Sequence, residues 1–231
     1  MVIAPSFAPI TFSFGFLEAP LGVVADELGS WYQRAKIPRS LLPTGTRFPE
    51  SLRLLEPLTA PGFHRLWIAT TSPRWQTAYF DGSINGGDPF PPISYLAQQL
   101  GCHGLVVTSC PDTPQCYGAN NLDLYGPTET DWLNLVWTVS AMNDGGRWLW
   151  RHSGPTYEFE DAEAYSARRV RDRFDAARLG RYCQALGVPL DPAQYLSSAL
   201  LDKENGPRPL RSESLEEARK RFGLSWPPGK P

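Results

Sequence analysis

Residues 143–187, NDGGRWLWRHSGPTYEFEDAEAYSARRVRDRFDAARLGRYCQALG, constrain the fold of this chain more than any other stretch. Asn143-Asp144-Gly145-Gly146 favours positive φ and predicts a tight hairpin. The strands it joins are read over residues 133–141 and 147–150. A helix is expected after Asp161, running to about Phe174. Asp175 caps a second helix, with Leu179, Tyr182, Cys183 and Leu186 on its inner face and Gly187 closing it. Paired strands followed by helices that must bury one face predict an α+β architecture.

The rest of the chain extends that reading. Ile10, Phe12, Phe14 and Phe16 alternate with smaller residues, the period of a half-buried strand. Leu21, Val24, Leu28, Trp31 and Ala35 follow at helical steps to about Lys36, after which Pro38 and Pro43 end the helix. Residues 49–58 read as a short helix, and residues 65–70 and 75–80 as a hairpin. Ile93, Leu96, Ala97 and Leu100 mark a helix stopped by Gly101. Strands are expected at 105–107 and 121–125. Asp191-Pro192 is an N-cap with proline behind it, which predicts a helix over 193–201. Residues 203–212 read as a polar linker, and Ser214-Leu215-Glu216-Glu217 as the capping box of a short helix ending at Gly223. Residues 227–231 are expected to be disordered. The expected fold is one α+β domain over 8–201, a largely antiparallel sheet of five to seven strands covered by helices. Residues 202–231 then form a linker and a short helical appendage.

Composition narrows the function classes. A net charge of −2 over 231 residues argues against a dedicated nucleic-acid binder. No stretch approaches the roughly 18 apolar residues that a membrane span needs. The start lacks a positively charged region before its apolar residues, so no signal peptide is expected. Cys102, Cys110, Cys116 and Cys183 do not resemble a disulfide framework, and the expectation is a reduced, cytoplasmic protein.

Candidate chemistry is sparse. Asp81, Ser83, Asn85 and Gly86 echo the start of a calcium loop, but the twelfth position is Pro92 where a bidentate Glu is needed. Asp81, Asn85 and Asp88 therefore read as an ordinary Asx-rich turn or as a contact for a ligand or partner. Cys102, His103, Cys110 and Cys116 lack the short paired spacing of a zinc knuckle, so no metal is expected. Neither a nucleophile elbow nor a phosphate-cradling loop occurs, so no catalytic residue and no cofactor is assigned.

Six arginines fall between Arg168 and Arg181, nearly balanced by nearby acids. They read as a solvated helix face, or as a docking site built on Arg168, Arg171 and Arg178. Trp148 and Trp150 share one side of their strand, with Arg147, Leu149 and Arg151 on the other. An exposed arginine side would suit protein binding. Asp144 and Arg147, flanking the tight turn, join the candidate contacts.

Three blocks, TAYFDGSINGGDPFPPISYLAQQLGC (77–102), NDGGRW (143–148) and YEFEDAEAYSARRVRDRFDAARLGRYCQALG (157–187), resemble uncharacterised bacterial α+β proteins that accompany polymorphic toxin systems. The resemblance implies a small cytoplasmic immunity partner that binds and neutralises a toxin domain without catalysis. The alternative expectation is a small-molecule-binding protein, or a hydrolase or transferase, with a non-local site drawn from Asp81, Asp88, His103 and Asp144. Oligomeric state is left open.

Overall fold

The computed structural model describes residues 3–206 and 209–224. Eleven strands and five α-helices follow one another as β1 (Ser13–Leu17), α1 (Leu21–Ala35), β2 (Arg39–Thr44), β3 (Leu58–Ala60), β4 (His64–Thr70), β5 (Thr77–Asp81), α2 (Phe90–Gln99), β6 (Gly104–Cys110), β7 (Ala119–Tyr125), β8 (Leu135–Asp144), β9 (Arg147–Ser153), α3 (Val170–Arg173), α4 (Ala176–Ala185), β10 (Tyr195–Glu204), β11 (Arg211–Glu213) and α5 (Leu215–Arg221). Nine strands form one antiparallel sheet in the order β2-β10-β4-β5-β1-β6-β7-β8-β9, and β11 pairs with β3 apart from it. The class is α+β.

Alternation along the strands gives the sheet two unlike faces. Phe14, Phe16, Leu66, Ile68, Phe80, Leu105, Val107, Leu122, Leu124, Trp137 and Val139 point to one side. There they bury against Leu52, Leu55, Phe174, Leu179, Tyr182, Leu215 and Ala218. Leu17, Trp67, Tyr79, Val106 and Tyr125 point to the other, under Val24, Leu28 and Tyr32 of α1 and Ile93, Leu96 and Ala97 of α2. We call these the α4 face and the α1/α2 face. A Cβ on Gly15 would lie 2.4 Å from Ile93 Cγ1, so the bare backbone of β1 lets α2 lie close on the sheet.

Several sequence expectations hold in detail. Asp175 accepts the Arg178 N–H at the start of α4, and Ser214 with Glu217 forms the expected capping box of α5. Gly101, Gly187 and Gly223 all take positive φ just past their helices.

Others are corrected. The sheet has nine strands rather than five to seven, because two segments read otherwise became strands. The expected helix at 193–201 is a single 3-10 turn at Pro192–Gln194, and β10 follows it. Tyr195, Ala199 and Leu201 join the α4-face core while Leu200 and Asp202 turn to the opposite face, and both flanks of the strand are paired. Residues 39–44, expected only to end a helix, pair along β10 as the sheet's edge. The helix expected from 161 to 174 is broken into a 3-10 turn, Ala162–Ser166, and the four residues of α3. Arg173 Nε satisfies the Ala167 carbonyl between them, at 2.8 Å, and Phe174 is driven into the core. β10 runs through the expected boundary at 201/202. Beyond it, β11 pairs with β3, and Leu215, Ala218 and Phe222 are buried. Residues 227–231 lie outside the described residues.

Candidate protein-binding face

The hairpin turn fixes the geometry of the sheet's far end. Gly145 and Gly146 both have positive φ, 61° and 97°, which the tightest two-residue hairpin requires. The Gly146 N–H donates to Asn143 Oδ1 at 2.8 Å, and Asn143 Nδ2 donates to Asp112 Oδ1 at 3.1 Å. The turn is thus tied to the loop between β6 and β7. Counting outward from it, Asp144 faces Arg147, Met142 faces Leu149, Ser140 faces Arg151 and Thr138 faces Ser153. All eight side chains share the α1/α2 side of the sheet, because strand alternation admits no other arrangement.

Neither α1 nor α2 reaches this end. Met142 and Leu149 are each 40% exposed although they face one another across two strands, and Trp132 and Leu133, just before β8, are about half exposed. The Arg151 guanidinium lies 4.0 Å from the centre of the Trp132 ring, a cation–π contact that holds the indole against the strand. Arg147 and Arg151 are both exposed and make no ion pair with any described residue. The opposite side of β9 is covered. Trp150 packs on Tyr165, with ring centres 4.9 Å apart, and Trp148 joins the core cluster. The tryptophans therefore anchor β9, and the arginine side is the free one.

Below this apolar strip the same face turns polar and rigid. Asp123 accepts from Thr138 Oγ1 at 2.5 Å and from Asn121 Nδ2 at 2.6 Å. Burial raises its pKa, opposed by these two hydrogen bonds and by the charge of Arg151. Ser13 and Thr108 share a hydroxyl hydrogen bond at 2.9 Å in the next strands. The strip therefore rests on side chains already engaged with one another, a preorganised base for binding.

The other sequence candidates do not join it. Asp81 is buried at the end of β5, and its carboxylate accepts the Ser83 and Asp88 N–H groups at 2.9 and 2.8 Å. Burial raises its pKa, against those two hydrogen bonds. A Cβ on Gly87 would sit 3.0 Å from Asp81 Oδ1, so the loop is wrapped around the carboxylate and leaves no room for a ligand. Asn85 and Asp88 sit exposed on that loop. Arg178 is engaged by Asp161 and Asp175 at 3.0 and 3.1 Å and by the Asp172 carbonyl. Arg168 and Arg171 are exposed, and Arg171 instead lines a cleft of about 420 Å³ with Trp148, Asp112, Asp172 and Asp175 on the α4 side. Asp144 and Arg147 alone of the candidate contacts singled out from the sequence fall on the exposed side of the hairpin. Met142 and Trp132 were missed. Met142 was recoverable by counting from the turn, whereas nothing local to Trp132 announces its place.

The residues of the enzyme alternative also scatter. His103 Nδ1 lies 2.8 Å from Glu18, which also pairs with Arg74 at 2.5 Å. His103 is five residues along from Thr108, about 17 Å from the Asp81 end of the sheet. Asp144 is exposed at the hairpin tip. Among the described residues no group of three or more His, Cys, Asp or Glu is placed to hold a metal. The expectation of four free cysteines is corrected: Cys110 and Cys116 are disulfide-bonded, while Cys102 and Cys183 are free. Reciprocal backbone bonds between Thr113 and Cys116 fold the intervening turn and bring the two sulfurs together. No described helix is long and apolar enough to cross a membrane.

No protein-family model, curated protein or solved structure matches this chain.

Proposed function

We propose that this chain is a non-enzymatic protein-binding module of the immunity or antitoxin kind, which neutralises a toxin domain by docking it on the exposed side of β9 and the hairpin end of β8. One observation carries the reading. The Met142–Leu149 pair lies partly exposed between two arginines that form no ion pair with any described residue, with Trp132 stacked on one of them. Aromatic residues, methionine and arginine are enriched at protein interfaces, and apolar anchors ringed by charge supply most of their binding energy. The resemblance of residues 77–102, 143–148 and 157–187 to proteins of toxin systems supplies the toxin as partner. The reading includes a cytoplasmic site of action. The Cys110–Cys116 bond stands against that placement, since cytosolic thiols are held reduced. No nucleic-acid partner is proposed, since the chain carries a net charge of −2 rather than a basic excess.

The test is capture of partners from host lysate on the tagged chain, read by native mass spectrometry, with Leu149→Asp as the matched control. A stoichiometric protein held by the wild type and lost by the variant supports the reading. A partner held equally by both, or a bound small molecule in place of a protein, overturns it.

A further inference from the structure

β9 is the last strand of the nine, and its outer edge is bare. Among the described residues, the backbone N–H and C=O groups of Arg147–Ser153 bond to nothing outside the β8–β9 ladder. Its register against β8 runs through all seven residues with no bulge, and it contains no proline. Such an edge is a template for another strand, and natural sheets usually blunt it with a proline, a bulge or a covering element. The opposite edge is blunted in this way: β2 carries Pro43, which has no N–H to donate.

We infer that β9 is completed by a strand from the partner, and that the strand is acidic, with carboxylates at alternate positions around an apolar residue. This deepens the docking proposed above and rests on it. The chemistry follows from the exposed side of β9, which reads Arg147, Leu149, Arg151. A strand laid along the edge sets its residues directly opposite these, where opposite charges attract and like charges repel. An acid–x–apolar–x–acid segment matches all three positions at once. Backbone hydrogen bonds supply affinity in this mode and the alternate side chains supply selectivity. The same charges argue against a second copy of this chain as occupant. Antiparallel pairing of two β9 strands centred on Leu149 would set Arg147 of each against Arg151 of the other. Arg147 and Arg151 thus admit an acidic strand and exclude the chain's own.

A displayed library of random twelve-residue peptides, selected on the full chain, tests this without knowledge of the partner. Enriched peptides should carry the acid–x–apolar–x–acid pattern. They should slow amide exchange at β9 and bind at least tenfold more weakly to the Arg147→Glu/Arg151→Glu variant. The Arg147→Lys/Arg151→Lys variant, which keeps the charge, should bind nearly as well as the wild type. All four substitutions are at exposed positions, and circular dichroism is used to check that each variant folds. No enrichment, enriched peptides without the pattern, or binding that leaves β9 amides unprotected would each overturn the inference. So would sedimentation of the free chain as a dimer that the double Glu variant dissociates. A lysate partner lost on Leu149→Asp but leaving β9 unprotected would keep the docking face and remove only strand addition. Acidic peptides bound as expected, with no protein captured, would do the reverse.

Discussion

The two ends of the sheet use the same residue type in opposite ways. At the β2 end, the Arg39 side chain is 4% exposed and that of Asp202 fully buried, with Arg39 Nε 2.6 Å from Asp202 Oδ1. Tyr32 OH reaches the other Asp202 oxygen at 2.6 Å, and Arg39 also binds Glu204 at 2.9 Å and the Phe63 carbonyl at 3.0 Å. Burial, and then the charge of Asp202, raises the Tyr32 pKa, so the phenol stays neutral and donates. Arg39 and Tyr32 are thus both committed inside the fold. At the β9 end, Arg147 and Arg151 are exposed and have no ion-pair partner among the described residues. An arginine on an edge strand becomes structure or a recognition element according to whether a carboxylate and a covering helix meet it inside the fold.

The largest effect that would sharpen this contrast is at Asp202. Asp202→Ala leaves the Tyr32 hydroxyl buried without its acceptor and Arg39 with only Glu204 as a carboxylate partner, and should cost about 3–5 kcal/mol in urea denaturation. Replacing both ions, as Arg39→Met with Asp202→Leu, should recover much of that loss, because a desolvated pair is often matched by apolar packing. A cost below about 1 kcal/mol for Asp202→Ala would mean that this end is no more committed than the other.

Leu149→Asp is the converse. It should change folding stability by no more than about 0.5 kcal/mol, since Leu149 is partly exposed and away from the core. Partner affinity should fall at least tenfold, because the change puts a lone charge at the centre of the strip, where hot spots cluster. A large loss of stability with affinity unchanged would break the assignment of roles to the two ends.

The sequence was more informative at the open end than at the closed one. The Asn143–Gly146 turn fixed two strands, their register and therefore which side chains share a face. From Arg147, Leu149 and Arg151 alone the arginine side could be expected to serve binding if exposed. The closed end depends on contacts that local pattern does not carry. Arg39 and Asp202 are 163 residues apart, and residues 193–201 read as a helix from the Asp191-Pro192 start, which the structure uses for one 3-10 turn. The rest becomes a strand because β2 and β4 each need a neighbour, a demand visible only once the sheet exists. The Cys110–Cys116 pairing and the break between residues 166 and 170 were likewise decided by tertiary contacts.

The cap of α4 gives a smaller test, between the two extremes. The Asp175 side chain accepts the Arg178 N–H at 2.8 Å and also pairs with its guanidinium. Asp175→Ala should cost about 1 kcal/mol, the usual worth of an N-cap, measured by thermal or urea unfolding. Asp175→Asn should keep most of it, because the amide oxygen still accepts the N–H. A loss as large as that of Asp202→Ala would place this surface arginine with the buried network.

The smallest expected effect concerns Asp161, an exposed carboxylate held by Arg178 at 3.0 Å, with Arg181 at 3.8 Å. The Arg178 hydrogen bond, followed by the guanidinium charges, holds its pKa below the ordinary aspartate value. A carboxylate whose pKa is depressed on folding stabilises the fold above its unfolded pKa, and the gain is lost as pH falls through the folded one. Asp161→Asn should therefore unfold at a slightly lower temperature than the wild type near about pH 6, and the two should converge by about pH 2. Salt should narrow the gap at the higher pH, since an exposed pair is screened. A difference that persists undiminished to the acid end would mean that the Asp161 carboxylate acts through packing rather than charge. Arg178 would then stand no closer to the engaged arginine of β2 than to the free ones of β9.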